Sequence, residues 1–302
     1  MQFTFGYLVS FDAESLSDLE IRDNEKETRF LGKIRSFIIC LFYDGAVLII
    51  KIYNDIMIPK IIHYCWFGRN PLPPLALKCI ASWHKYFPDY EIKEWNEDNF
   101  DVNMIPYTEE AYKAKKYAFV SDYARFWILY NYGGLYFDTD VEVIKSFDEI
   151  LSKGPYMGFE RNPDKWGDGL VNPGLGLAAM PQQPILKEIL EKYQNLNFLL
   201  SDGSLNISLT VVHYATQVLE KFGLKQMKGI QTVADFTIYP SEYFAPIDFV
   251  TKRLHITDKT LSVHRYMASW GEQKDKTVTD YIKHCLPEWC LIWFNRLKYY
   301  KR

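Results

Sequence analysis

From Ile58 onward, apolar and polar positions fall into short blocks, each the length of one strand or one helix. KIIHYCW (60–66) is a continuous apolar run bounded by Pro59 and Gly68, a pattern that predicts a buried strand. After the proline-rich loop 71–74, Leu75, Ile80 and Trp83 recur at helical spacing, and Pro88-Asp89 marks a turn. YEIKEW (90–95) alternates as a second strand does. Residues 107–131 keep a helical period and stop at Gly133-Gly134, where left-handed backbone can end a helix. LYFD (135–138) and VEVI (141–144) read as extended, and a strand is expected near 156–160 and another through 174–180. Helices are expected at 184–193 and near 206–222, with short strands and loops over 237–264. Such alternation predicts an α/β domain.

The first 56 residues differ in texture. Residues 12–29 are charged and read as a solvated helix or a disordered segment. FIICLFYDGAVLII (37–50) is the one candidate membrane span, but Asp44 and Gly45 interrupt it and a span needs about 20 apolar residues. It also lies too far from Met1 for an ordinary signal peptide. No transmembrane helix is expected. Met57 could be the natural start, with an upstream extension before it, or residues 1–56 could form a short accessory hairpin or helix. The expected division is an N-terminal extension (1–56), the main α/β domain (57–275) and a helical tail (276–302).

Composition narrows the function classes. The chain has 302 residues, 17% of them aromatic, enough for a large ring-rich core with some rings left to line a cleft for sugars and a base. A formal net charge of −3 gives no footprint for nucleic acid. The five cysteines (Cys40, Cys65, Cys79, Cys285, Cys290) are odd in number and form no C-x-x-C pair. That favours reduced thiols and a cytoplasmic location over a disulfide framework or a zinc site.

The chemistry centres on Asp138-Thr139-Asp140, directly after the apolar LYF. Two carboxylates one residue apart at a strand end can share one hard divalent cation, Mn²⁺ or Mg²⁺. Such a cation would stabilise a departing diphosphate. On the preceding helix, Asp122 and Arg125 stand three apart and so share a face, while Val120, Tyr123, Trp127 and Tyr130 can point coreward. The acid and base are either a plain ion pair or hydrogen-bonding groups for sugar hydroxyls.

SDYARFWILYNYGGLYFDTDVEV (121–143) resembles the D-x-D region of the family 32 glycosyltransferases, and it is similar to the glucosylating domain of large clostridial toxins. That family includes bacterial capsular-polysaccharide enzymes and relatives of a yeast α-1,6-mannosyltransferase. IPKIIHYCWFG (58–68) resembles the family's opening strand and SWHKYFPDYEIKEWNED (82–98) its next segment. The resemblance implies a GT-A fold and retaining, metal-dependent transfer of a hexose from a nucleotide-sugar (a UDP- or GDP-sugar) to a saccharide or lipid-linked glycan. Capsule, O-antigen or other cell-surface polysaccharide synthesis is the implied setting. It also implies roles: Asp140 as direct metal ligand, Asp138 as bridge to the ribose or donor sugar, Asp122 and Arg125 on sugar hydroxyls, Tyr136 near the donor and Trp66 stacked on the base. SVHRYMASW (262–270) resembles the closing element, with His264 as third metal ligand and Ser269 and Trp270 donating to the diphosphate. Asn172, before Pro173, is either a sugar contact or a turn residue.

The tail CLPEWCLIWFNRLKYYKR (285–302) mixes Trp and Tyr with Lys and Arg. It reads first as a terminal helix docked on the domain, with an interfacial helix on the cytoplasmic membrane face as the alternative. Two rival functions remain at this level: a D-x-D phosphatase of the haloacid-dehalogenase type, and a non-catalytic cation-dependent sugar-binding protein.

Overall fold

The computed structural model describes residues 58–267 apart from 166, 249, 250 and 252, together with the backbone of 8–9, 37–43 and 46–52. The chain divides into two compact units, Met1–Met57 and Ile58–Arg302. The first contains an antiparallel sheet of β1 (Leu8–Val9), β2 (Phe37–Tyr43) and β3 (Ala46–Ile52). The apolar stretch 37–50 is therefore a strand pair in register from Phe37↔Ile52 to Tyr43↔Ala46, with Asp44-Gly45, a dipeptide that hairpins favour, between the strands. Residues 12–29 and the 276–302 tail lie outside the described residues. No described helix is long and apolar enough to cross a membrane.

The second unit opens with β4 (Ile61–Cys65), α1 (Pro74–Tyr86) and β5 (Glu91–Trp95), followed by α2 (Pro106–Lys113), α3 (Tyr117–Tyr132), β6 (Gly134–Tyr136) and β7 (Val141–Val143). After α4 (Asp148–Leu151) come β8 (Tyr156–Arg161), β9 (Leu170–Val171), β10 (Leu177–Ala179), α5 (Pro184–Gln194) and α6 (Val211–Lys221). β11 (Gln231–Val233), β12 (Phe236–Tyr239) and β13 (Ser262–His264) complete it. The main sheet has the order β11-β12-β8-β10-β6-β4-β5, with β9 on β8. Strands β5, β4, β6, β8 and β12 run one way, and β10, β9 and β11 oppose them. This mixed, mostly parallel sheet flanked by helices is the GT-A-type architecture implied by the resemblance.

Side-chain alternation builds a core on each face of the sheet. Tyr156 and Ala178 join Trp83 of α1, Phe137 and Phe147 in one cluster. Their neighbours Met157, Leu177 and Ala179 join α3, α5 and α6 through Phe126, Ile189 and Ala215 in the other. In α1 the buried stripe is Ala76, Cys79 and Trp83, whereas Leu75 and Ile80, which the pattern selects, are only partly covered.

The expected single helix over 107–131 is two. Lys115 takes φ 56°, its N–H bonds to Tyr112 O at 2.9 Å, and Lys116 N–H reaches Ala111 O at 2.9 Å. That pair of bonds is a Schellman closure with lysine where glycine is usual, so no glycine or proline announced the break. The helix expected near 206–222 begins only at Val211, because 206–210 belongs to a preceding turn structure.

His63, at the centre of β4, ties the sheet to the end of α3. Its Nε2 lies 3.0 Å from Gly133 O, and Trp95 Nε1–H donates to its Nδ1 at 3.0 Å. One nitrogen must donate and the other accept, which fixes the neutral Nε2–H tautomer. Burial accordingly lowers its pKa to about 4. The folded state therefore resists a proton that the unfolded chain accepts near 6.5, and stability falls as pH drops from 6.5 towards 4, by roughly 3 kcal/mol. Urea unfolding of wild type and His63→Gln across that range isolates this contribution: the stability advantage of wild type over the variant should shrink as pH falls.

Candidate active site

The site forms where β6 leaves the sheet. Gly133 and Gly134 end α3 at φ 65° and 98°. A Cβ on Gly134 would stand 2.6 Å from Ile61 O, so only glycine lets β6 lie this close to β4. Beyond Tyr136 the chain turns, with Asp138 N–H bonded to Gly174 O at 3.1 Å and Val141 N–H to Asp138 O at 3.0 Å. β7 then pairs antiparallel with β13, and the register Val141↔His264 brings the histidine beside the aspartate pair.

Asp138, Asp140 and His264 each offer one ligand atom, all within 4.8 Å of one another. His264 Nε2 lies 3.1 Å from Asp140 Oδ1, and Asp140 Oδ2 accepts the Met267 N–H at 2.7 Å. Burial alone would raise the Asp140 carboxyl; the facing imidazole and this N–H outweigh it and hold it below the usual carboxylate value. The same pairing lifts His264 above its ordinary value, against the burial that would lower it. His264 Nδ1 is buried without a hydrogen-bond partner among the described residues. Two carboxylates and an imidazole suit Mn²⁺ or Mg²⁺, so the residues fit the implied cation. A proton on His264 would compete with it.

Arg125 organises the neighbouring wall. Its Nη2 bonds Asp122 Oδ1 at 2.8 Å, its Nη1 lies 3.4 Å from the Asp138 carboxylate, and its Nε donates to Ser121 O at 3.1 Å. The guanidinium also sits 4.9 Å from the Tyr136 ring centroid, and the Tyr136 hydroxyl donates to Asp138 Oδ1 at 3.1 Å. Both members of the Asp122–Arg125 pair are buried, so this is no surface ion pair. Burial pushes the Asp122 carboxyl up to about 7, against the pull of Arg125.

Trp66, Asp122, Arg125 and Tyr136 line one cavity of about 520 Å³ with Asp138, Asp140 and His264. Trp66 Nε1–H closes its own turn on Asn70 O at 2.6 Å, and its partly buried ring packs against one core cluster while lining the cavity. Asn172 is a turn residue, its Oδ1 accepting Gly174 N–H at 2.7 Å and its Nδ2 3.4 Å from Glu160 Oε2, and it also lines the cavity. Ser269 and Trp270 lie outside the described residues. The cavity also holds Glu160, Tyr266, Lys115 and Lys116, which the sequence reading passed over. Glu160 had a usable signal: it lies near the carboxyl end of β8, and the co-directional β4 and β6 deliver Trp66 and Asp138 at theirs.

The aspartate pair thus stands over this cavity at the edge of a mixed, mostly parallel sheet. Residues 73–156 match the family described as "Glycosyltransferase sugar-binding region containing DXD motif", and the chain carries that region. It is 26% identical over 151 residues to inositol phosphoceramide mannosyltransferase 1 of Schizosaccharomyces pombe, covering 46% of this chain and 44% of that one. It is 34% identical over 98 residues to inositol phosphoceramide mannosyltransferase 3 of the same yeast, covering 31% and 27%. The match thus spans less than half of either relative. Among solved structures, the PaToxG glycosyltransferase aligns at TM-score 0.42 and 22% identity over 54% of this chain and 69% of that one.

Gly174 is the tightest point of the site. A Cβ there would collide with Asp138 Oδ2 and stand 2.9 Å from Arg125 Nη1. Gly174→Ala should therefore cost about a hundredfold in sugar-transfer turnover by displacing the carboxylate. Gly154→Ala, at φ 98° but with nothing within 4 Å of the added Cβ, should leave turnover intact.

Proposed function

We propose that the chain is a divalent-cation-dependent, retaining hexosyltransferase moving a sugar from a nucleotide-sugar to a lipid-linked or saccharide acceptor on the cytoplasmic side of a membrane. The observation that carries this reading is the convergence of Asp138, Asp140 and His264 within 4.8 Å, beside the buried Asp122–Arg125 pair. When bound, a divalent cation would stabilise the charge on the departing diphosphate.

The chain's own residues do the rest. Asp122 and Arg125 hydrogen-bond the donor sugar, Tyr136 and Arg125 hold Asp138 at one orientation, and Trp66 offers its ring to the base. The acceptor hydroxyl attacks from the face that the diphosphate leaves; the bond from the anomeric carbon to the phosphate oxygen breaks, and the leaving phosphate takes the hydroxyl proton. The cavity orients both partners and excludes water. Mannose is the first donor sugar to test, since two relatives are named as mannosyltransferases of inositol phosphoceramide. A capsule, O-antigen or other cell-surface polysaccharide role rests on the family resemblance.

A thermal-shift screen of UDP- and GDP-sugars with Mn²⁺, followed by turnover of the hit, tests the proposal. A cation-dependent rise in melting temperature and release of free nucleotide are expected. A rise with no turnover on any acceptor or on water would leave a sugar-binding protein instead.

A further inference from the structure

The segment between α5 and α6 carries four exposed aliphatic side chains in eleven residues: Leu199 at 49%, Leu200 at 42%, Ile207 at 52% and Leu209 at 38% exposure. A chain with an extensive core has no packing reason to leave so many in water, and clustered exposed aliphatics mark contact surfaces. The loop is firmly built. Leu199 bridges Leu205, Leu200 N–H bonds Ser204 O at 2.9 Å, Asn206 N–H bonds Phe198 O at 2.8 Å, and Phe198 is fully buried. Its one charged residue, Asp202, caps the turn through Ser204 N and Oγ at 2.9 and 2.6 Å.

Beside it stands a cationic junction. Leu199 N–H bonds Glu110 Oε2 at 2.8 Å, tying the loop to α2, and α2 runs on into Lys113, Lys115 and Lys116. Lys113 pairs with Glu109; Lys115 and Lys116 form no ion pair among the described residues. Both elements reach the active site: Lys115 and Lys116 line the cavity, and so do Thr210, Val211 and Val212, which follow the loop. Of the other exposed large apolar side chains, Phe222, Met227 and Ile230 lie beyond the opposite end of α6, and Leu77, Tyr132, Leu254 and Ile256 belong to other segments of the chain.

We infer that loop 199–209 and the 113–116 lysines form a membrane-facing lip, which seats the cavity mouth on an anionic phospholipid bilayer so that a lipid-borne acceptor enters the site headgroup first. Aliphatic side chains enter the acyl boundary while neighbouring lysines meet lipid phosphates, the combination that interfacial binding requires. The inference rests on the lipid-linked acceptor proposed above, and it places the contact on a different element from the 285–302 tail.

The test is flotation of the full chain with phosphatidylglycerol-containing vesicles against phosphatidylcholine vesicles. Wild type should float with the anionic vesicles and be released by salt. The variant Leu199→Ser/Leu200→Ser/Ile207→Ser/Leu209→Ser should float about tenfold less, with nucleotide-sugar hydrolysis in the absence of vesicles unchanged. Leu200→Trp should gain quenching by brominated phosphatidylglycerol over the wild-type background. Equal flotation of the fourfold variant, no flotation of wild type, or no added quenching at position 200 would overturn the inference. So would light scattering that shows the loop holding two copies of the chain together. Absent hydrolysis with intact flotation would instead defeat the transferase reading.

Discussion

Asp140→Ala should abolish sugar transfer and cation-dependent donor binding together. Asp140 sits at the junction of three contacts: Oδ1 faces His264, Oδ2 accepts Met267 N–H, and its backbone carbonyl accepts Arg265 N–H at 2.9 Å. Its carboxylate is held ionised despite its burial, which suits a ligand that must stay charged. Losing it removes a charged ligand and releases the segment that carries the imidazole. Turnover should fall about a thousandfold or more, and Mn²⁺ should no longer raise the melting temperature in the presence of nucleotide-sugar. Asp140→Asn keeps the shape and a hydrogen-bond acceptor, so it separates loss of charge from loss of packing: it should fold like wild type and still be inactive. Full activity in either variant, or in wild type with excess chelator, would sink the assignment.

Arg125→Met should have the largest effect on stability. It strands Asp122 in the core without its partner and removes a cation from Asp138, at a cost of about 3–5 kcal/mol. The sign with pH is definite. Burial already raises Asp122 to about 7, so the folded state holds a proton that the unfolded chain has lost, and stability declines as pH rises from about 4 to 7. Without Arg125 that window extends upward, and the variant should be weakest near pH 8 and partly recover near pH 5. Asp122→Asn/Arg125→Met should regain most of the lost stability at pH 8 while staying inactive. Urea midpoints for the three proteins at both pH values check this, and a single variant as stable as wild type at pH 8 would refute it.

The architecture and much of the site were legible because their signals are local. The apolar run at 60–66, the Gly133-Gly134 stop and the aspartates at 138 and 140 lie within single elements, and the structure brings Trp66, Asp122, Arg125, Tyr136 and the aspartate pair to one cavity. What stayed hidden depends on contacts across the chain. His63 is one more residue of an apolar strand until Trp95 and Gly133 define its two nitrogens. Gly174 reads as a small residue in a turn until Asp138 fills the space its Cβ would need. The break at Lys115 escaped because a lysine stands where the backbone geometry favours glycine. In the sequence Arg125 is half of a plain ion pair or a sugar contact; its burial and its bridge from Asp122 to Asp138 appear only in three dimensions.

The β7–β13 pairing also sets a schedule for the newly made chain. Asp140 and Met267 are 127 residues apart. At about 5–20 residues per second a ribosome needs roughly 6–25 seconds to cover that distance. Through that interval β4, β6 and the aspartates exist as polypeptide, but the imidazole has not been made. The nascent chain thus holds only the two carboxylates of the proposed cation site, whose third member arrives when one of the last described strands docks. Release of an unfinished chain would yield a protein with a sheet and no working centre, so a truncation before residue 264 should produce inert product and no uncontrolled donor hydrolysis.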